Sequence, residues 1–427
     1  NKMKKILMII LDGFGIRENE HGNAVKLANM EFFNSLWNKY PHALLEASEE
    51  AVGLPHGQFG NSEVCHQVIG LGKKINQKIT IISEEVEHKR ILKNEQFQSL
   101  IEHVKTNHGT LHLMGLLSDG GVHSNINYMK DLIPIFKEQG IERIVFYAIT
   151  DGSDTYSKSS IKSLNEMSNL LEENQIGEIG TVCGRYYAMD RDNKWDRTQK
   201  YYDLVMRGSG FKVLNINTAI SNCYKKGITD EFLPPMLLTE NTKIEDHDAL
   251  LWLNFRPDRA RQILNSLSDP EFKEFNIVPK VNFKVWNMFK QDDVQNVTSL
   301  YEIDKQDLYP IGKYFSDLGL TQARIAETEK YSHVTYFFNS ELAKKFPGCD
   351  NYLVNSPKVA TYDQTPLMSA KEVTNKVVSA LEKDYNFILV NYANPDMLGH
   401  TGNLDATIES LKGLDELLKT VITAAED

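Results

Sequence analysis

The chain has 427 residues, 41% hydrophobic and 25% charged, which excludes a collagen-like, disordered or coiled-coil protein. At about 100–200 residues per domain, two or three domains are expected. Lysine and arginine number 47 against 58 aspartates and glutamates, a formal charge of -11; such a field repels nucleic acid and anionic lipid, and a small anion would need a local cluster of cations.

The start, Asn1-Lys2-Met3-Lys4-Lys5, is basic and leads into the apolar run Ile6–Leu11. The run is too short for a signal-peptide core and an acidic turn follows it, so it predicts a buried first strand. Further strands are predicted at 111–117 and 144–149, a helix over 159–173, and strands at 250–253 and 387–390. A last helix runs from 404 to the end, with Leu404, Ile408, Leu411, Leu414, Leu418 and Val421 at helical spacing. It has no glycine cap and no returning strand, so the chain is expected to be interrupted rather than finished. Short apolar runs alternating with helical stretches give an α/β protein with mainly parallel sheets. No apolar run approaches the roughly 18 residues that span a bilayer. Cys65, Cys183, Cys223 and Cys349 are far apart, which argues against a disulfide framework or thiolate zinc site and for a reducing, cytoplasmic setting.

Each predicted strand runs directly into polar residues, and ligands of open α/β sheets bind beyond the carboxyl ends of the strands. Asp12, in Leu11-Asp12-Gly13-Phe14-Gly15, fits a hard-metal ligand or an ordinary Asp-Gly turn. Ser62, in Gly60-Asn61-Ser62-Glu63-Val64-Cys65-His66, fits a hydroxyl near backbone donors at a helix start, or simply a helix cap. Asp396 and His400 are four apart and converge on one divalent ion if that segment is helical. Arg185 with Arg191, and Arg256 with Arg259 and Arg261, suggest a small anionic substrate, or a solvated ion-pair surface with Asp190, Asp192 and Asp258. His123 and Asp154 follow successive strands as acid–base or structural groups, and Lys330 is a phosphate-binding or a solvated cation. Cys65, Cys183 and Met189 read as packing residues.

LDGFG, GLPHGQFGNSEVCH, GLLSDGGVHS, GRYYAMDRD, NFRPDRARQ, RIAETEKYSHVTYFFN, SPKVATYD and NYANPDMLGHTG occur in this order along nearly the whole chain. Together they resemble the cofactor-independent phosphoglycerate mutase family of the alkaline-phosphatase-like superfamily. The resemblance implies an α/β fold with a phosphatase-like domain made of 1–75 and 310–427, and a transferase-like, substrate-binding domain inserted at 76–309. It implies a cytoplasmic monomer that binds a small molecule, with neither nucleic acid nor membrane as partner, and that interconverts 3- and 2-phosphoglycerate in glycolysis. Ser62 would carry a phosphoserine intermediate. Two divalent ions, usually Mn²⁺, would be held by Asp12 with Ser62 and by Asp396 with His400. His123, Asp154, Arg185, Arg191, Arg256, Arg259 and Lys330 would hold substrate.

Three departures stand out. The family continues past the last helix with an Asp-His-Gly-Asn segment and a later histidine that complete both metal sites. Ser153 stands where the family has arginine in D-G-R-D, and one lost charge-assisted contact is worth about 1.5–3 kcal/mol. Cys65 replaces a glycine, which adds strain if φ there is positive, or a soft ligand if the thiol faces the metals. These departures keep two alternatives open: an impaired paralogue that binds phosphoglycerate-like anions, and a mutase or phosphatase for another phospho- or phosphono-acid.

Overall fold

A computed structural model of the chain describes residues 4–279 and 281–427; Asn1-Lys2-Met3, from the basic start, lie outside them. Its strands are β1 (Ile6–Leu11), β2 (Leu111–Leu116), β3 (Ile144–Thr150), β4 (Gly177–Gly184), β5 (Phe211–Lys212), β6 (Met236–Leu237), β7 (Ala249–Trp252), β8 (Lys284–Phe289), β9 (Val297–Tyr301), β10 (Gln322–Glu327), β11 (Cys349–Val354) and β12 (Phe387–Tyr392). The chain divides into two compact units. One joins the residues up to Ile75 with Asp304–Asp427, and the other is Asn76–Ile303. The second unit ends at 303 rather than the expected 309, because Ile303 still packs on its core.

In the first unit four parallel strands lie in the order β1-β12-β10-β11. Alternate residues of a strand face opposite sides of its sheet. Ile388, Val390 and Tyr392 therefore join the core beneath the final helix, while Phe387 and Leu389 join Val334 and Phe338 on the other face. The final helix, Leu404–Glu426, is capped by Asn403, whose side chain accepts from the Ala406 amide, and it buries Leu411, Leu414, Leu418 and Val421. β1 departs from the expected buried strand. It lies at the edge of the sheet, so its side chains are only half-buried, and Ile6 is 51% exposed.

The second unit holds a sheet in the order β5-β6-β4-β3-β2-β7-β8-β9, parallel except where β6 runs against β4. β2, β3 and β7 are buried along their whole length. Their near-continuous apolar sequences are what a strand covered on both faces requires. Each of the three ends at a polar segment, carrying Ser118, Asp151 and Asn254 respectively.

Candidate active site

In the first unit the chemistry gathers at the carboxyl ends of β1, β10 and β12. The parallel register pairs Leu11 with Tyr392, and the Asp12 amide donates to the Tyr392 carbonyl at 3.1 Å. Ser62 opens the helix Ser62–Leu71. The capping role falls to Asn61, whose side-chain oxygen accepts from the Val64 amide at 2.9 Å. The Ser62 hydroxyl is thereby left to donate to Asp12 Oδ1 at 2.8 Å. Lys330, on the short helix Thr328–Ser332 that continues β10, donates to Ser62 Oγ at 2.9 Å and to Asp396 Oδ2 at 2.6 Å, and lies 3.2 Å from Asp12 Oδ1. The serine oxygen thus points its proton at a carboxylate and accepts from an ammonium. Burial works against both charges, but each group holds the other: Lys330 and the hydrogen bonds from Asn391 and Ser62 keep Asp12 below its usual range, and Asp12 with Asp396 keeps Lys330 above its own.

Asp396 and His400 share the helix Asn394–His400 that follows β12, and His400 Nε2 lies 3.3 Å from Asp396 Oδ1. The segment is helical, as convergence of that pair requires. The tip of β1 fits against this helix only because of Gly13: its φ is +78°, and a Cβ there would sit 2.5 Å from Asp396 Cα. Cys65 lies inside the Ser62–Leu71 helix, outside the positive-φ region, so it brings no such strain. Its thiol donates to the Ala47 carbonyl at 3.6 Å.

The structure brings Asp12, Ser62, Lys330 and Asp396 together and sets His400 beside Asp396. Lys330 therefore bonds to the nucleophile candidate and the carboxylates of its own unit. As metal sites the donors come in pairs, Asp12 with Ser62 and Asp396 with His400. Among the described residues, the acidic and imidazole groups that converge as a threesome are Glu49, Glu50 and His56, a partly exposed set elsewhere. The site also contains three residues that sequence reasoning missed: His66, Asn391 and His333. His66 is buried on Ser62 and Asn391, and its ring packs against His333 with centroids 5.5 Å apart. The one available signal was the i, i+4 spacing of Ser62 and His66.

In the second unit β3 ends at Asp151, which organises a cation cluster. Asp151 Oδ1 accepts from the amides of Ser153 and Asp154 at 3.1 and 2.9 Å and from Arg185 Nη1 at 2.9 Å, while Oδ2 accepts from Ser118 Oγ at 2.6 Å. Arg185 also donates to Asp154 Oδ2 at 2.8 Å, and its Nη2 stands 3.3 Å from His123 Nε2. Arg191 and Arg256 meet Asp258 at 2.8 and 3.0 Å, and Arg259 donates to the Met189 carbonyl at 3.1 Å. His123, Asp154, Arg185, Arg191, Arg256 and Arg259 therefore form one neighbourhood, with Asp258, an ion-pair partner expected from the sequence, and Asp151, which the sequence did not single out, as counter-ions. Burial, Arg185 and Arg256 push His123 far below its usual range, so its imidazole is neutral. Arg259 is also lowered, by burial and by repulsion from Arg191 and Arg185. Arginines crowded until they repel one another favour an anion between them, which relieves the repulsion.

Residues 82–293 match the family described as the BPG-independent PGAM N-terminus. A 2,3-bisphosphoglycerate-independent phosphoglycerate mutase of Clostridium perfringens is 42% identical over 424 residues, covering 98% of this chain and 82% of that protein. One from Antithamnion sp. is 42% identical over 428 residues, covering 99% of this chain and 83% of that protein. A solved structure entitled as Leishmania mexicana phosphoglycerate mutase at low cobalt concentration matches with a TM-score of 0.76 and 29% identity, over 99% of this chain and 80% of that one. The α/β architecture, with one unit inserted in another, is thus the alkaline-phosphatase-like fold with its transferase-like insertion. Likeness of this extent in sequence and structure places the chain among the 2,3-bisphosphoglycerate-independent phosphoglycerate mutases, and it is accordingly an isomerase.

Proposed function

We propose that the protein interconverts 3-phosphoglycerate and 2-phosphoglycerate through a phosphoryl group carried on Ser62. The observation that supports this reading is the setting of the Ser62 hydroxyl, which donates to Asp12 at 2.8 Å and accepts from Lys330 at 2.9 Å. An ammonium on the oxygen favours the developing alkoxide, and the same charge offsets the phosphoryl oxygens as they approach. Ser62 Oγ attacks phosphorus and the bond to the 3-oxygen breaks. The 2-oxygen of the retained glycerate then attacks the phosphoserine, and Ser62 is released.

Asp12 with Ser62, and Asp396 with His400, would hold divalent cations. Both carboxylates already converge on one positive charge, that of Lys330, and oxygen donors with one imidazole suit Mn²⁺ or a similar ion. Each pair supplies two donors of the four to six such an ion takes. When bound, the ions would lower the pKa of the serine hydroxyl and neutralise phosphoryl charge. The arginine cluster of the second unit would grip the anionic substrate. His123, as a neutral imidazole, would contact its glycerate part, and Asp154 would contact it too as acceptor of the hydroxyl proton.

A coupled enolase assay with added Mn²⁺ tests the reading. Ser62→Ala is expected to lose activity by on the order of 10³-fold or more, with the fold intact by circular dichroism. Turnover equal to the parent's would reject it.

A further inference from the structure

The assignment of Ser62 as the reacting group leaves three buried polar groups beside it without a role. His66 is 2% exposed and Asn391 is fully buried. His66 Nδ1 lies 2.7 Å from the Ser62 carbonyl oxygen, and its Nε2 lies 3.1 Å from Asn391 Nδ2. The same Asn391 nitrogen donates to Asp12 Oδ2 at 2.9 Å. A carbonyl oxygen only accepts and an amide nitrogen only donates, so the chemistry fixes every proton. Nδ1 of His66 carries the hydrogen, and Nε2 is bare. The two hydrogens of the Asn391 amide nitrogen are both spent, one on His66 and one on Asp12. Turning the amide over would set its oxygen against the Asp12 carboxylate, two acceptors face to face.

The bonds close a ring that begins and ends on one residue. The Ser62 hydroxyl donates to Asp12, Asn391 donates to Asp12 and to His66, and His66 donates to the Ser62 carbonyl. His333 packs against the His66 ring and stands 3.4 Å from Glu63 on the serine helix. Strand register makes the ring possible: Asn391 sits on the face of β12 shared by Phe387 and Leu389, the face that packs against Val334 and Phe338 beside His333.

We infer that His66 and Asn391 are positioning residues that lock the Asp12 carboxylate and the Ser62 backbone together, fixing the direction of the serine oxygen. The proposal rests on the reading of Ser62 as nucleophile. In solution, Asn391→Leu and His66→Gln are each expected to lower kcat roughly ten- to a hundred-fold, the cost of a misplacement near 1 Å, with KM for 3-phosphoglycerate unchanged. The double variant should lose little more than either single one, because each breaks the same ring. Unchanged kcat, or a change confined to KM, overturns the proposal. If Ser62→Ala is inactive while both variants turn over like the parent, the ring alone fails; if Ser62→Ala retains turnover, the nucleophile reading fails. Should the variants not fold, ¹⁵N NMR of the histidine side chains of the intact protein still decides. A neutral His66 with its hydrogen on Nδ1 supports the ring, and one with its hydrogen on Nε2 overturns it.

Discussion

Gly13 shows how one atom's absence shapes the site. Its φ of +78° is strained for any side chain, and a Cβ would meet the Asp396 backbone, which cannot step aside as a flexible side-chain tip would. Gly13→Ala should therefore cost about 1–3 kcal/mol from the backbone alone, read as a fall in Tm, and should part Asp12 from Asp396. A variant as stable and active as the parent would contradict this. Residues adjacent in sequence, such as Asp12-Gly13 and Asn61-Ser62, were legible because their local pattern already states a turn or a helix start. His66 was not, because its role depends on Asn391, 325 positions away. The counter-ion Asp151 is hidden for the same reason, since its partner Arg185 is 34 positions away, whereas Asp258 stands beside Arg256 and Arg259 in the sequence: a charge acquires meaning from partners that only the folded sheet supplies.

β10 delivers two functional groups from one strand-to-helix junction, Lys330 to the serine and Glu327 to the opposite side. Glu327 ends the strand fully buried, and accepts from Ser356 Oγ at 3.0 Å and, at 3.4 Å, from the Ser369 amide. Its second oxygen has no hydrogen-bond partner among the described residues. Burial outweighs those hydrogen bonds and lifts the carboxyl from 4.5 to about 7. The folded chain thus keeps a proton that the unfolded chain has already lost, so this group's contribution to stability is present below pH 4.5 and disappears as pH rises to about 7. Glu327→Gln should be more stable than the parent at pH 8, by up to about 3 kcal/mol, with the difference gone at pH 4. Parallel melting curves at all pH values would contradict it. Such a shift cannot be read from sequence, where Ala326-Glu327-Thr328 looks like any strand end. Periodicity did reveal the element itself in the final helix. It could not reveal that β1 lies at an edge, because an apolar run reads the same at an edge as in the middle of a sheet.

At the scale of the whole molecule, the alternation of apolar runs and helices spoke for α/β, but nothing in the composition marks the junctions at Ile75 and Asp304. Each unit has its own apolar core, and no glycine- or proline-rich linker announces the change. The resemblance carried by eight ordered motifs implies an insertion at 76–309, and the compact units meet at Ile75 and at Ile303. The acidic chain, at -11 overall, concentrates Arg185, Arg191, Arg256 and Arg259 in one unit and places Lys330 against Ser62 in the other. On the proposed reading, Ser62 holds the phosphoryl group during turnover. The direct measurement is rapid acid quenching of the protein turning over 3-phosphoglycerate with Mn²⁺, followed by peptide mass spectrometry. A phosphoryl group is expected on the Ser62 peptide, absent from Ser62→Ala. Steady turnover with that peptide never modified, or with phosphate on another residue, would contradict it.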